Sequence, residues 1–319
     1  MSDPIDPSYR LLAARYFRQQ AKRLAKQLDG ARLAENIECV HKARVASRRL
    51  RAALRMFAEC VPPKSQTSWR GEIRRITSGL GEARDKDVQI AYLQDALAAV
   101  DEKACYSGIA RLLVQLEKQR GRLQPKVNKA IRRLRASGAL LQMRAAGKKE
   151  TARARKKQYD VRSEFSLQQA QRHILARVEE ALPLAKSLAD PTDIEGHHAL
   201  RIAMKRLRYT SEIAQSVYAG RLDEAIKTVT RLQTLLGDIH DCDVWLVELD
   251  AFAEREKQRI VRDYGHDGPF AQLLPGIEHL RGKRRRHREE AFEQLAALWE
   301  QLQQQGFWES LTETVGNRA

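Results

Sequence analysis

Apolar residues recur along this chain at a helical period. Long stretches rich in Ala, Leu, Arg, Gln and Glu return a nonpolar side chain every three or four positions, and few show strand-like alternation. The clearest case runs from Val40 to Phe57. A helix turns about 100° per residue, so Val40, Ala43, Ala46, Leu50, Ala53, Leu54 and Phe57 share one arc, roughly 120° to 260° from His41. The pattern predicts an all-α protein.

Breaks divide the chain into elements. The period predicts a first helix from about Ser8, its N-cap, to Leu28, then a helix from near Leu33 to Phe57 stopped by Pro62-Pro63. A third starts near Ser65 and reaches Leu80, where Gly79 and Gly81 either end it or permit close packing. Asp85 and Asp87 then precede a helical segment from Val88 to Val100. A long helix from about Gly108 to Leu141 contains Pro125, where a kink is expected. The hydrophilic run from Gly147 to Ser163, with Lys148, Lys149, Arg153, Arg155, Lys156 and Lys157, reads as a basic linker. Beyond it the pattern predicts helices over Ser166–Leu188, a motif helix after the break at Asp190–Asp193, then Leu222–Leu236 and Val244–Asp263. A final helix begins near Phe270. The domain reading is a first helical half over 1–146, the linker over 147–163 and a second helical half over 164–319.

The halves carry a repeated signature. His41-Lys42-Ala43-Arg44-Val45-Ala46-Ser47-Arg48-Arg49-Leu50-Arg51 returns as His198-Ala199-Leu200-Arg201-Ile202-Ala203-Met204-Lys205-Arg206-Leu207-Arg208, 157 positions later (198 − 41). About forty residues after each comes Leu-Gly-acid-x-x-Asp-x-Asp-Val, as Leu80–Val88 and Leu236–Val244, with the glycines 156 apart (237 − 81). Such repetition reads as an internal duplication. Two bundles of this kind would place two basic faces near a pseudo-two-fold axis.

Opposite the apolar arc of the first motif, His41, Arg44, Arg48, Arg51 and Arg55 form a stripe about 80° wide and about 21 Å long. Arg201, Lys205 and Arg208 repeat it, with Ala199, Ala203 and Leu207 opposite. Like charges in file repel by a few tenths of a kcal/mol per i,i+4 pair, and no acid lies between Lys42 and Arg55 to offset this. One such stripe reads as a solvated helix face; two at the same phase read as a surface for a polyanion. A formal net charge of +17 agrees with an anionic partner. Arginine suits phosphate in particular, because its guanidinium is always charged, weakly hydrated and forked to match two oxygens.

Other chemistry is weaker. His41 and His198 admit a metal ligand, a phosphate hydrogen bond or a packing role, but neither has a second His or Cys at helical ligand spacing apart from His197, which belongs to another face. The pairs Asp85/Asp87 and Asp241/Asp243 admit an acid pair for hydrolysis or a metal site. Their place after a Leu-Gly break favours helix capping or orientation of the basic stripe. His240-Asp241 resembles the metal-binding dipeptide of HD phosphohydrolases, yet the first half has Arg84-Asp85 there. The chain has no P-loop, GxSxG, dinucleotide-binding glycine turn or ExExK run. Trp69, Trp245, Trp299 and Trp308 are dispersed, as core residues would be. Cys39, Cys60, Cys105 and Cys242 make no CxxC pair and read as reduced packing residues of a cytosolic protein. The N-terminal Met1–Pro7 lacks the bases and apolar run of a signal peptide, and no stretch approaches the ~18 apolar residues of a membrane span.

The paired motifs, His41-x-x-Arg44-Val45-x-x-Arg48-Arg49-Leu50-Arg51 with Leu80-Gly81-x-x-x-Asp85 and their counterparts, resemble the CHAD family, the conserved histidine α-helical domain, over nearly the whole chain. The resemblance implies two pseudo-symmetric helical bundles around a basic central groove or pore. It further implies binding of inorganic polyphosphate and association with polyphosphate granules in the cytoplasm, with granule proteins as further partners. By position the implied ligand-facing residues are His41, Arg44, Arg48, Arg51, His198, Arg201, Lys205 and Arg208. The second stripe has Lys205 in place of Arg48 and Glu212 in place of Arg55, so weaker binding is expected there.

The candidate contact set also takes in Arg49, Arg55 and Arg206 of the motif helices, Arg75, Arg231, Lys118 and Arg122, and the late bases Arg281, Arg284, Arg285 and Arg288. The last four share a face at i, i+3, i+4, i+7. The expected function is non-enzymatic, with no metal or cofactor and with nucleic acid only as a non-specific competitor. The rival readings are a nucleic-acid-binding protein and a metal-dependent phosphohydrolase using His240, Asp241 and Asp243.

Overall fold

Helices alone make up the regular structure of the described residues, 5–34 and 36–317, in a computed structural model. The order is α1 (Pro7–Leu33), α2 (Ile37–Met56), α3 (Pro63–Ala99), α4 (Lys103–Ala136), α5 (Ala139–Lys157), α6 (Glu164–Ala181), α7 (Ile194–Ala214), α8 (Asp223–Tyr264), α9 (Leu274–Gln304) and α10 (Phe307–Gly316). Short 3₁₀ turns lie at Ala58–Cys60, Leu182–Ala189 and Gly268–Gln272. Met1–Pro4, part of the N-terminal stretch read above, and Glu35 lie outside the described residues.

Capping sets the starts of the motif helices. Asn36 accepts from the Glu38 amide at 2.7 Å to open α2, and Asp193 accepts from the Gly196 amide at 2.8 Å to open α7. At α1 the cap is Asp6, accepting from Ser8 and Tyr9 at 2.9 and 3.0 Å, and not Ser8 as the sequence suggested. Pro7 takes the first helical position, where its missing N–H costs nothing.

Several predicted breaks are absent. α3 runs without interruption through Gly79, Gly81, Asp85 and Asp87. The glycines mark close approach: a Cβ on Gly79 would stand 2.8 Å from the Ala130 Cβ of α4. α8 likewise merges two predicted helices, so neither Asp pair caps anything. α4 continues through Pro125 but ends at Ala136, five residues short of its predicted end. Most of the predicted linker is helical. α5 continues to Lys157 and packs on α1, where a Cβ on Gly147 would stand 2.6 Å from the Ala14 carbonyl oxygen. Its buried face is thin (Ala139, Leu140, Met143, Gly147, Ala154), which left the apolar period hidden among bases. Phe270 lies in a 3₁₀ turn ahead of α9, and α10 was not foreseen.

The helices pack largely in chain order, α1 on α2 and α5, α2 on α3 and α3 on α4, then α6 on α7, α7 on α8 and α8 on α9. The main ties between one series and the other are α4 against α9 and α2 against α7, and α1 also touches α6. Where α4 crosses α9, Gly108 and Gly276 meet, and a Cβ on either would stand within 2.3 Å of a backbone oxygen of the other helix. A large core runs through both series, with Leu50, Leu54, Leu207 and Tyr218 fully buried. Each such Leu contributes about 1.5–3 kcal/mol. A smaller core gathers Leu93, Ile109, Trp245, Phe252 and Ile277 beside the α4–α9 crossing. All four cysteines are free. Among the described residues no helix is long and apolar enough to cross a membrane.

Candidate functional site

Burying the apolar arcs of α2 and α7 turns their basic faces toward each other. Every residue of the predicted α2 arc is buried, as are Ala203 and Leu207 of α7. Between the opposite faces lies a groove of about 500 Å³, lined by Arg44, Arg48, Arg51 and Arg55 of α2 and Lys205 and Arg206 of α7. Thr77 of α3 and His173 and Arg177 of α6 complete its walls.

Cations dominate the middle of the groove. Among the described residues Lys205 makes no ion pair, and burial together with Arg48, Arg201, Arg44 and Arg208 pushes its ammonium down to about 7. Burial and neighbouring arginines also lower Arg51 and Arg55. Two like charges 4 Å apart repel by about 4 kcal/mol at an effective dielectric of ~20, so this arrangement is costly unless an anion joins it.

The first aspartate of each Leu-Gly motif sits beside the stripe. Asp85 lies 3.7 Å from Arg44, whose guanidinium also donates to the Thr77 carbonyl at 3.4 Å. Asp241 faces Arg201, which partly offsets the upward push of burial on its carboxyl. Gly81 makes the room for this arrangement, since a Cβ there would stand 2.8 Å from Arg44 Nη1. Gly237 has no heavy atom within 4 Å of its missing Cβ, so the duplicate glycine has no such duty. The second aspartate anchors the next helix: Asp87 pairs with Arg120 of α4 at 2.6 Å, and Asp243 with Arg288 of α9 at 2.5 Å.

The motif histidines are not among the residues that line the groove; His41 lies one turn before Arg44 on α2 and His198 one turn before Arg201 on α7. His198 and His240 approach at 3.1 Å between their Nδ1 atoms, a hydrogen bond that needs one neutral donor and one acceptor. Burial and nearby cations push His240 down to about 4 and lower His198; burial and Arg84 lower His41. His197 is buried, with its Nε2 at 3.0 Å from the Ser187 carbonyl. Among the described residues no three His, Cys, Asp or Glu side chains gather as a metal site would require.

Other predicted contacts lie elsewhere, and here the sequence expectation needs correction. Arg49 turns toward α7 and pairs with Glu212 at 2.9 Å. Arg75 pairs with Glu72, Arg281 with Asp250 and Glu278, and Arg288 also donates to the Pro191 carbonyl at 2.8 Å. Arg284 lies over the ring of Tyr92, its Cζ 3.4 Å from the centroid, and 5.1 Å from that of Trp245. Arg122, Arg231 and Arg285 are exposed outside the groove lining. Lys118 lines a separate hollow of about 580 Å³ between α4 and α8. Arg206 does line the groove while pairing with Glu180.

Sequence reasoning missed His173 and Arg177, and also Arg70 and Arg74, which stand near Arg55 and Arg51. They belong to no motif, and only the placement of α3 and α6 beside α2 brings them in.

Comparison with known proteins identifies the family and the fold. A family model described as the CHAD domain matches residues 15–250, and the chain belongs to that family. The match takes in both motif helices and both Leu-Gly-acid motifs. Two Mycobacterium tuberculosis proteins, uncharacterized proteins MT2285 and Rv2226, are each 26% identical over 238 residues, 75% of this chain and 44% of theirs. The chain therefore matches less than half the length of those relatives. Among solved structures, the CHAD domain from the plant Ricinus communis aligns with a TM-score of 0.61 at 20% identity, covering 90% of this chain and 91% of that one. PptA from Streptomyces chartreusis aligns with a TM-score of 0.52 at 18% identity, covering 91% of this chain and 98% of that one. At these identities the likeness establishes the fold.

Proposed function

We propose that the protein binds inorganic polyphosphate along the groove between α2 and α7 and does not turn it over. One observation carries this reading: Arg48, Arg51, Arg55 and Lys205 line a single groove, and none of them has an acidic ion-pair partner among the described residues. A chain of regularly spaced phosphates would meet these cations in succession, each contact releasing counterions. Membership of the CHAD family points the same way, as does the repeat that supplies a base to both walls. Association with polyphosphate granules in the cytoplasm, with granule proteins as further partners, belongs to the same proposal.

Two details favour this over the alternatives. A single-stranded nucleic-acid site is built around open aromatic faces for stacking, and Tyr209 of the groove is buried with Arg208 at 5.0 Å from its ring. A phosphohydrolase on His240, Asp241 and Asp243 needs all three free. Asp243 is held by Arg288, and His240 by His198 with Arg201 and Lys205 nearby, a poor setting for a metal cation.

The test is charge reversal of Arg44, Arg48 and Arg51 to Glu together. Affinity for long-chain polyphosphate is expected to fall at least 100-fold while the far-ultraviolet helical signal stays unchanged. Wild-type affinity in the folded variant would end the assignment. Phosphate release from polyphosphate in the presence of Mg²⁺ or Mn²⁺ would end the non-enzymatic part of it.

A further inference from the structure

The groove is not evenly charged from end to end. Near His41 and His198 the cations have acids beside them: Lys42 lies 3.8 Å from Glu38, Arg44 lies 3.7 Å from Asp85, and Arg201 faces Asp241. About 21 Å along α2, at Arg55, the balance changes. The charged groups facing Arg55 are Arg206, Arg70 and Arg177, all cations. Arg51 there feels Arg55 and Arg74 most strongly among the charged groups, again cations. The acid of this end, Glu180, accepts from both Arg177 and Arg206 and holds the two guanidinium groups side by side.

His173 adds an unused polar atom. It lines the groove one helical turn before Arg177, and its Nε2 is buried with no hydrogen-bond partner among the described residues. Burial, Arg172 and Arg177 all hold its imidazole below the usual histidine range. Of the buried polar atoms without a partner among the described residues, His173 Nε2 is the one whose residue lines this groove, where a ligand oxygen could meet it. The positions 157 earlier in α1 are Tyr16 and Gln20, so the cluster is not a by-product of the repeat.

The ligand itself is uneven in the same way. Each internal phosphate of a linear polyphosphate carries one ionised oxygen. The terminal phosphate carries two ionisable oxygens, the second with a pKa of about 6, and one more unbridged oxygen to accept hydrogen bonds. We propose that His173 and Arg177 of α6, with Arg55 of α2 and Arg206 of α7, form a subsite for the doubly ionised terminal phosphate of a linear polyphosphate chain. This rests on the reading of the groove as a polyphosphate site. It makes the groove directional, with the chain end at α6 and internal phosphates running toward the histidines.

Linear hexaphosphate and cyclic hexametaphosphate test it, because both have six phosphates and the cyclic compound has no end. Calorimetric titration of the full chain at fixed salt is expected to favour the linear form at least tenfold. The double variant His173→Ala/Arg177→Gln should bring that preference within about twofold, and Arg55→Gln, which breaks no internal pair, should reduce it in the same direction. Arg84→Gln, removing a charge at the other end, should weaken both ligands and keep their ratio. Equal binding of the two compounds by the wild type would overturn the subsite, as would an unchanged ratio in the folded α6 and Arg55 variants, even with long-chain binding intact. Loss of long-chain binding altogether would instead remove the groove reading and the subsite with it.

Discussion

Arg49 of α2 and Glu212 of α7 form an ion pair of 2.9 Å across the contact between the two helix series. Both side chains are largely buried, and Glu212 also lies 3.7 Å from Arg208. The carboxylate therefore binds one arginine from each motif helix. It joins α2 to α7, the two helices whose basic residues line the groove. Removing one partner of a buried pair leaves the other charge unpaired, at a cost of about 3–5 kcal/mol. Glu212→Gln keeps the shape and some hydrogen bonding, so a loss of about 2–3 kcal/mol is expected in urea unfolding. An unchanged midpoint would mean the pair does not join the two series.

The two motif glycines should respond differently to the same change. Gly81→Ala places a methyl group 2.8 Å from Arg44 Nη1 and must displace the guanidinium from Asp85 and Thr77. Polyphosphate affinity is expected to fall severalfold. Gly237→Ala meets nothing within 4 Å and should stabilise α8 by up to about 1 kcal/mol with affinity unchanged. Equal effects of the two substitutions on affinity would contradict the role given to Gly81.

The paired aspartates divide between stability and binding. Asp243 is 8% exposed in its pair with Arg288, so Asp243→Asn should cost about 3 kcal/mol or more in thermal or urea unfolding. The Asp85 side chain is 66% exposed, and Asp85→Asn should cost under about 1 kcal/mol. Its effect should appear in binding, because it frees Arg44 to reorient. The opposite ranking in stability would show that the two positions are not the strut and the guide described above.

Lys205 gives the site a pH dependence. Its folded-state pKa is lowered from the usual 10.5 to about 7. Below about pH 7 it is charged in folded and unfolded chains alike and its strain is fully present. Between about 7 and 10.5 the unfolded chain binds the extra proton, so this residue's contribution to stability improves as pH rises. Bound phosphate favours the ammonium, so affinity should fall as pH rises from 7.5 to 9, with proton uptake visible as a buffer-dependent binding enthalpy. Lys205→Arg should flatten that dependence, and a wild-type affinity constant over the range would refute the assignment.

The stripe on α2 was legible because its partners lie on one helix, at a period that the sequence displays. The fate of Arg49 was not, since Glu212 stands 163 residues away and nothing local distinguishes a pairing arginine from a ligand-facing one. The late bases show the same limit. Arg281, Arg284 and Arg288 share a face, but whether that face meets solvent, acids or the rings of Tyr92 and Trp245 is decided by α3 and α8. Gly79 and Gly81 left two readings open, a helix end or close packing, and the structure takes the second: in α3 they accommodate Ala130 and Arg44, and the helix passes through both. α5 was hidden because small residues on its buried face gave too weak an apolar period to stand out from its lysines and arginines.

Competition between two polyanions tests the central claim most directly. Long-chain polyphosphate is titrated at near-physiological salt against a fluorescent polyphosphate tracer, with duplex DNA of equal charge as rival. Cations enclosed by α2, α6 and α7 should hold the phosphate chain against at least a hundredfold excess of DNA. Displacement by DNA at equal charge concentration would mean a general basic surface and would contradict a groove built for polyphosphate.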